Sequence, residues 1–418
     1  SKVSKRSTQG ASLRGWSRRG SGVQIPAPAP WNFGTEWGQK LRGRGIKVVL
    51  LLLMTTALAF SPALAYESKD MVSRGPILIE GNSNFTLANG VVSGSGAAGD
   101  PFIIEGWDID ASSADGIKVR NTSAFFVIRN CLIRNAKDRL GNGVHLENVV
   151  NGKIENVRND NNWNAIFLST SSNNIVKGCS SQNNRRGIFL DHSSANVIEN
   201  CSFQNNVGGI VLFSSEFNTV RNCTALSNDT GILLTFSENN EVKACTVPKS
   251  KIGIFLESSS GNVISGCTVE NSSFGCIAVI PVTGYESSDN NRIYHNNFLN
   301  NPQQAYENGS NYWDNGYPSG GNYWSDYTGV DVDNDRIGDT PYSIPGGNNQ
   351  DRYPLMSPFV PEAEGAPQAP TRWPLIAGIV GIIAIIGIGL AIYVKKALKG
   401  GRTERNFYLL SLHHRTSN

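Results

Sequence analysis

From residue 143 to residue 274 the sequence repeats with a period of 22. "GVHLENVVNGKIENVRNDNNWN" starts at Gly143, "AIFLSTSSNNIVKGCSSQNNRR" at Ala165 and "GIFLDHSSANVIENCSFQNNVG" at Gly187. "GIVLFSSEFNTVRNCTALSNDT" at Gly209, "GILLTFSENNEVKACTVPKSKI" at Gly231 and "GIFLESSSGNVISGCTVENSSF" at Gly253 continue it. Longer spacings, 27 from Gly116 to Gly143 and 29 from Asn262 to Asn291, bracket the run. A fixed period in this range marks a repeat architecture, whose units bury their apolar faces only against their neighbours.

Within each unit the apolar positions alternate with period two, and Asn, Gly and Ser punctuate every few residues, which is strand-and-turn chemistry and excludes helix. One residue after each Gly stand Ile188, Ile210, Ile232 and Ile254; three after stand Leu190, Leu212, Leu234 and Leu256. Both slots are expected to point inward. A second strand points Ile198, Val220, Val242 and Ile264 inward. A third points Cys201, Cys223, Cys245 and Cys267 inward, followed two residues on by Phe203, Ala225, Val247 and Val269. Three short strands per coil, each paired in register with the next coil, predict an all-β, right-handed parallel β-helix. At roughly 4.8 Å per coil, about eight or nine coils would extend on the order of 40 Å. Asn174, Asn196, Asn218, Asn240 and Asn262 share one turn slot. There Asn is expected to take left-handed backbone and bond its neighbour in the next coil. Cys179, Cys201, Cys223, Cys245 and Cys267 form another column, read as small hydrophobic filling. A disulfide between rungs and a soft-metal ladder remain open as alternatives, and seven Cys leave at least one unpaired.

Three stretches carry a resemblance to a known family. "ILIEGNSNFTLANGVVSGSGAAGDPFIIEGWDIDASSADGI" (77–117) resembles its lead-in and cap, the repeats resemble its coils, and "NGYPSGGNYWSDYTGVDVDNDRIGDTPYSIPGGNNQDRYPLM" (315–356) resembles its closing module. The family is that of NosD-type β-helix proteins, built of the carbohydrate-binding and sugar-hydrolase class of repeats and similar to many archaeal surface proteins. The resemblance implies the fold. For function it implies copper handling, after the accessory protein that names the family, or polysaccharide binding or cleavage.

The remaining segments organise the chain. Residues 1–45 are basic and lack apolar periodicity, and read as a non-structural leader. Within 46–65, Val48 to Phe60 is an apolar stretch behind Arg42, Arg44 and Lys47, and Ala63-Leu64-Ala65 is a small-residue cleavage site, the pattern of a secretory signal. A cap and lead-in occupy 66–115, the repeats 116–310, an aromatic and acidic closing module 311–356 and a Pro-rich stalk 357–372. "WPLIAGIVGIIAIIGIGLAIYV" (373–394) is an uncharged apolar run of bilayer-spanning length, followed by a basic tail, 395–418. The positive-inside rule then places the tail in the cytoplasm and the body on the extracellular face of the membrane, held by a single span. With 17% charged residues and a formal net charge of +3, nothing indicates a nucleic-acid partner.

Outward slots are where chemistry can lie. Two residues after each Gly the column reads His145, Phe167, Phe189, Val211, Leu233, Phe255; four after, it reads Glu147, Ser169, Asp191, Phe213, Thr235, Glu257. Phe167, Phe189, Asp191, Phe213, Phe255 and Glu257 therefore form the candidate ligand face, on which sugar rings would stack and acids would bond hydroxyls. The competing expectation is that the tail rings Tyr312, Trp313, Tyr317, Tyr323, Trp324 and Tyr327 fold back over it. Glu147, Asp191 and His192 are the candidate catalytic groups. Glu147 and Asp191 stand two coils, roughly 9.6 Å, apart, near the upper limit for an inverting glycosidase pair. The Asp and Gly-His-Gly motifs of β-helix polygalacturonases are absent.

"DVDNDRIGD" (331–339) spaces Asp331, Asp333, Asp335 and Asp339 as alternate-residue oxygen donors, a candidate calcium site, although Arg336 stands where such loops need Gly. Sequons at Asn84, Asn121, Asn200, Asn222, Asn228, Asn271 and Asn308 suit an exported glycoprotein. The leading expectation is a non-enzymatic protein that binds polysaccharide or another surface polymer. Copper handling and a polysaccharide lyase or glycoside hydrolase are the alternatives.

Overall fold

A computed structural model describes residues 71–137 and 141–360. The leader, the secretory signal, residues 66–70 of the lead-in, nearly all of the stalk, the apolar run 373–394 and the basic tail lie outside the described residues. Each coil contributes one strand to each of three sheets, as the period-two slots require. The long-strand sheet holds ten strands, from Ile77–Glu80 through Arg186–Asp191, Gly208–Phe213 and Thr230–Thr235 to Ala305–Glu307. The second sheet has ten strands, among them Val197–Glu199 and Thr219–Arg221, and the third has eleven, among them Ser202–Gln204 and Thr224–Leu226. Pairing is parallel and steps by 22 residues: Ile188 opposes Ile210, and Ile210 opposes Ile232.

Ten coils form, where eight or nine were expected. The additional rungs come from the ends: Ile77–Glu80 pairs with Ile117–Thr122 across an insertion that hides the period, and Ala305–Glu307 pairs with Gly275–Ile280. At the N-terminal end Val91–Ser93 pairs antiparallel with Phe102–Glu105 and closes that edge of the second sheet.

The inward slots form one apolar column through the molecule. Ile188, Leu190, Ile198, Phe203 and their equivalents are wholly buried. Cys201 and its column are buried too, but at the corner before the third strand rather than within it, since that strand starts at Ser202. Its Sγ lies 3.3 Å from the Glu199 carbonyl oxygen of its own coil and 3.7 Å from that of Val176 in the coil before. All seven Cys are free thiols.

Corners are held by ladders of identical side chains. In the Asn column, the Asn218 backbone N–H donates to Asn240 Oδ1 at 2.9 Å and its Nδ2 to the same oxygen at 3.1 Å. The same Nδ2 also donates to the carbonyls of Ser193 and Glu216. These Asn do not themselves take left-handed backbone. The residue before each does: Asn173, Ala195, Phe217, Asn239 and Gly261 have φ from 54° to 68°. Two further ladders escape the sequence reading. Ser171, Ser193, Ser215, Ser237 and Ser259 each accept the backbone N–H of the preceding rung. Asn184, Asn206 and Asn228 do the same at a third corner.

Residues 311–356 close the C-terminal end. Trp324 extends the third sheet beside Phe298, stacks on Tyr342 at 4.2 Å and donates its indole N–H to Asp351 at 2.8 Å. Asp351 also accepts from the Asn322 N–H at 2.7 Å, and Asn322 continues a ladder from Asn296. Burial pushes the Asp351 carboxyl up to about 6. Arg352 forks onto Asp314 at 2.9 and 2.7 Å.

One expectation is corrected here. No helix among the described residues is long and apolar enough to cross a membrane, and the run 373–394 on which the single-pass placement on the extracellular face, with a cytoplasmic tail, rests lies outside them.

Two predictions follow from the ladders and the cap. Asn218→Ala removes the acceptor of the Asn196 N–H and the donor to the Ser193 carbonyl. Each buried group left unpaired costs about 1–3 kcal/mol, so the loss in a denaturant titration should be about 3 kcal/mol. Asp351 has a folded pKa above its unfolded value, so the folded state holds the extra proton. Its contribution therefore weakens stability as pH rises from about 4 through 6. Thermal midpoints of wild type minus Asp351→Asn should fall across that window; a flat difference would contradict the assignment.

Candidate ligand-binding face

The outer surface of the long-strand sheet carries its side chains in coil-to-coil columns, because the parallel register places equivalent residues side by side. Its aromatic members divide into two groups. In the first, His145 stacks on Phe167 at 4.7 Å and Phe167 on Phe189 at 5.1 Å, with interplanar angles of 23° and 7°. The Arg186 guanidinium lies 4.3 Å from the Phe189 ring centre. A polar column runs beside these rings. Arg186 donates to Asn164, Asn164 to Asn142 and Asn142 to Asp115, whose other oxygen lies 2.8 Å from His145 Nδ1. The two columns thus join at both ends, through Asp115 and His145 at one and through Arg186 and Phe189 at the other. His145 Nε2 is buried and without a hydrogen-bond partner. Burial is the largest single influence and pushes the Asp115 carboxyl up, but hydrogen bonds from His145 and Asn142, with the His145 charge, together outweigh it and hold the carboxyl below its ordinary range.

The sequence reading missed Asp115, Asn142, Asn164 and Arg186. Asp115 lies 30 residues from His145, across the 27-residue coil, where the 22-residue register does not point. The other three fall one residue before the Gly slot, a column legible as Asn142, Asn164, Arg186.

In the second group the rings meet at steep angles. Phe213 meets Phe236 at 5.7 Å and 88°, Phe236 meets Tyr285 at 4.8 Å and 57°, and His192 lies 6.2 Å from Phe213. Phe236 and Tyr285 were not among the expected face residues: Phe236 is a corner residue, and Tyr285 sits in the extra length of the 29-residue coil. Phe255 lies in register with Leu233 and Glu257 with Thr235, whose hydroxyl donates to Glu257 at 3.0 Å. Among the described residues no hydrogen bond, ion pair or ring contact joins 311–356 to Phe167, Phe189, Phe213 or Phe255. The tail instead covers the end of the helix.

The candidate catalytic groups are each engaged. Glu147 is ion-paired with Lys118 at 2.6 Å, and that hydrogen bond holds its carboxyl below the ordinary range. Asp191 lies 2.7 Å from His192 Nδ1, and His192 is exposed at a corner. Glu147 and Asp191 stay two coils apart with Ser169 between them.

Asp331, Asp333 and Asp335 bring carboxylate oxygens within 4.8 Å of one another. Asp339 does not join this group and accepts the Val332 N–H at 2.7 Å. Among the sequons, Asn121, Asn200, Asn222, Asn271 and Asn308 are exposed and Asn84 is half-buried. Asn228 is corrected: it is a buried ladder rung whose Nδ2 donates to the Phe203 carbonyl at 3.1 Å, which leaves no room for a glycan.

Residues 126–329 match a family model described as NosD, periplasmic copper-binding protein. That description also runs against the expected extracellular placement. No curated protein matches the sequence. Similar solved structures include the A-module of the mannuronan C-5 epimerase AlgE6 of Azotobacter vinelandii, 15% identical, covering 57% of this chain and 72% of that one with a TM-score of 0.36. Pectate lyase Pel9A is 16% identical over 71% of this chain and 80% of its own, at 0.38. The enzymatically active domain of bacteriophage CBA120 tailspike protein 2 is 11% identical over 58% and 41%, at 0.41.

The residues present do not fit a copper centre. Copper(I) favours exposed, deprotonated sulfur or clustered imidazole. Hydrogen bonding between rungs pushes the Cys201 and Cys245 thiols up and the Cys223 thiol between them down, and burial pushes Cys131 up to about 11, but every sulfur of the column is buried. Among the described residues, the one convergent group of three or more His, Cys, Asp or Glu is Asp331, Asp333 and Asp335. These are hard oxygen donors of the kind that suit calcium. The fold is nonetheless unambiguous: the chain is a right-handed parallel β-helix whose residues 126–329 match the NosD family model.

Proposed function

We propose that this protein binds a polysaccharide or another cell-surface polymer along the outer face of its long-strand sheet and the corner that follows it. The observation that carries the reading is the second ring group. His192, Phe213, Phe236 and Tyr285 meet one another at steep mutual angles, with Phe213 and Phe236 half-buried and His192 and Tyr285 exposed. Sugar rings would stack on this surface group, and the neighbouring carboxylates Asp191 and Glu257 would accept from hydroxyls. Phe167 and Phe189 contribute less, because each turns its faces to a neighbouring ring or to Arg186. No reaction is assigned. Glu147 is held by Lys118 and Asp191 by His192, so neither is poised to donate a proton to a glycosidic oxygen.

Calcium at Asp331, Asp333 and Asp335 is a second reading, favoured by their convergence. It would order the closing module and takes no part in the polymer face.

In affinity electrophoresis through gels containing a panel of polysaccharides, Phe213→Ala should reduce retention several-fold. Phe189→Ala should change it less than two-fold while lowering the thermal midpoint. Retention unchanged in Phe213→Ala for every polymer that retains the wild type would sink the reading. Metal addition tests the second one: calcium should raise the thermal midpoint of the chelator-treated protein and leave Asp333→Asn unmoved. The same sample titrated with Cu(I) should take up no stoichiometric copper.

A further inference from the structure

The corner after the long strands has left-handed backbone throughout, with φ from 44° to 55° at Asn121, Asn148, Thr170, His192, Ser214, Phe236 and Ser258. Asn fills many such positions in the other corners, as at Asn156, Asn200 and Asn222, although Ala195, Phe217 and Lys249 also occupy them, and Asn bears this conformation best. Bulky and β-branched residues bear it poorly, so Thr170, His192 and Phe236 are strained replacements. Strain of this kind gathers at functional sites.

The six residues of extra length between Ile280 and Asn291 lie over the same corner. The Val282 N–H donates to Ser258 Oγ at 2.9 Å, and that hydroxyl donates to the Glu286 carbonyl at 2.9 Å. Between this loop and the corner lies a groove of about 490 Å³, lined by Phe236, Glu238, Ser258, Gly284, Tyr285 and Glu286. Two aromatic rings and two carboxylates thus face it, and the lining holds no Lys or Arg. Glu216, one coil before Glu238 in the same column, adds a third carboxylate on the approach. Among the described residues no ion pair engages Glu216, Glu238 or Glu286.

We propose that this groove is a subsite for a positively charged sugar, the protonated glucosamine unit of an amino-sugar polymer. The inference rests on the polymer-binding reading and names its substrate class. A neutral sugar uses the ring faces but leaves three carboxylates without counter-charge. A uronic acid is repelled. An ammonium group on a sugar ring uses both features, stacking on Phe236 and Tyr285 and bonding Glu238 and Glu286.

The test uses the purified chain with β-1,4-linked glucosamine hexamer and its fully N-acetylated counterpart, in calorimetry at a pH where the amines are protonated. The glucosamine hexamer should bind at least ten-fold tighter. Glu238→Gln with Glu286→Gln, both at the surface, should abolish that preference while keeping the wild-type thermal midpoint. Phe236→Ala should weaken both ligands; if it fails to fold, the glutamine pair decides. Equal binding of the two hexamers, or a preference the glutamine pair leaves intact, would overturn the proposal. So would oligolysine binding tighter than the hexamer with the same Glu dependence, which would mark a basic-peptide site. Loss of retention in Phe213→Ala without any amino preference overturns this inference and keeps the polymer-binding reading. An amino preference removed by the glutamine pair, with retention unchanged in Phe213→Ala, confines binding to the groove.

Discussion

The structure depends on hydrogen bonds between identical side chains in consecutive coils. Where the chain turns, backbone N–H groups lose their strand partners, and burying them unpaired would cost about 1–3 kcal/mol each. The Asn and Ser ladders supply the missing acceptors. Each rung accepts from the coil before and donates to the coil after, so a rung is satisfied only if its neighbours keep the same register. The apolar column inside tolerates sliding better than this, because Ile and Val are interchangeable there. The ladders fix the register, and the apolar slots supply most of the burial.

Fixed register has a consequence for the surface. Whatever stands at an outward slot is repeated or contrasted at one-coil intervals, so interactions on the face run along columns. Between Asp115 and Phe189 those interactions close on themselves. Every ring turns a face to a neighbour, the Asn142 and Asn164 amides are paired, and the buried His145 ring nitrogen Nε2 is the exception without a partner. Burial depresses the Arg186 guanidinium, which spends its charge on Phe189 and on Asn164 rather than on solvent. Beyond Phe189, Val211 and Leu233 interrupt the stack, and the aromatic contacts shift toward the corner, where Phe213 and Phe236 meet edge to face. One half of the face is an internal brace, and the other half is the part proposed to bind.

The parallel β-helix and its inward slots were legible because period two and period 22 act together: each apolar slot is tested several times along the run. The Asn174 to Asn262 column was legible for the same reason, yet its backbone was not. Asn is equally suited to left-handed corners and to ladder rungs, and only three dimensions separate Asn173 from Asn174. The Ser171 to Ser259 ladder was written at the same period, but Ser is common at turns and its column carries no distinguishing chemistry. Asp115 and Tyr285 stayed hidden for another reason. Both lie in the coils whose lengths break the period, where spacing no longer reports what is adjacent.

Those irregular coils are also where the surface acquires features a regular stack cannot offer. A strict 22-residue repeat presents ridges and columns but no enclosed volume, since every coil projects equally. A groove requires one coil to reach past its neighbours, and the loop between Ile280 and Asn291 does so beside the corner that carries Phe236. The regular coils brace that corner through the rungs that follow it, Ser237 and Asn240. Phe236 can therefore stay in an unfavourable backbone conformation, because relaxing it would strain the rungs beside it.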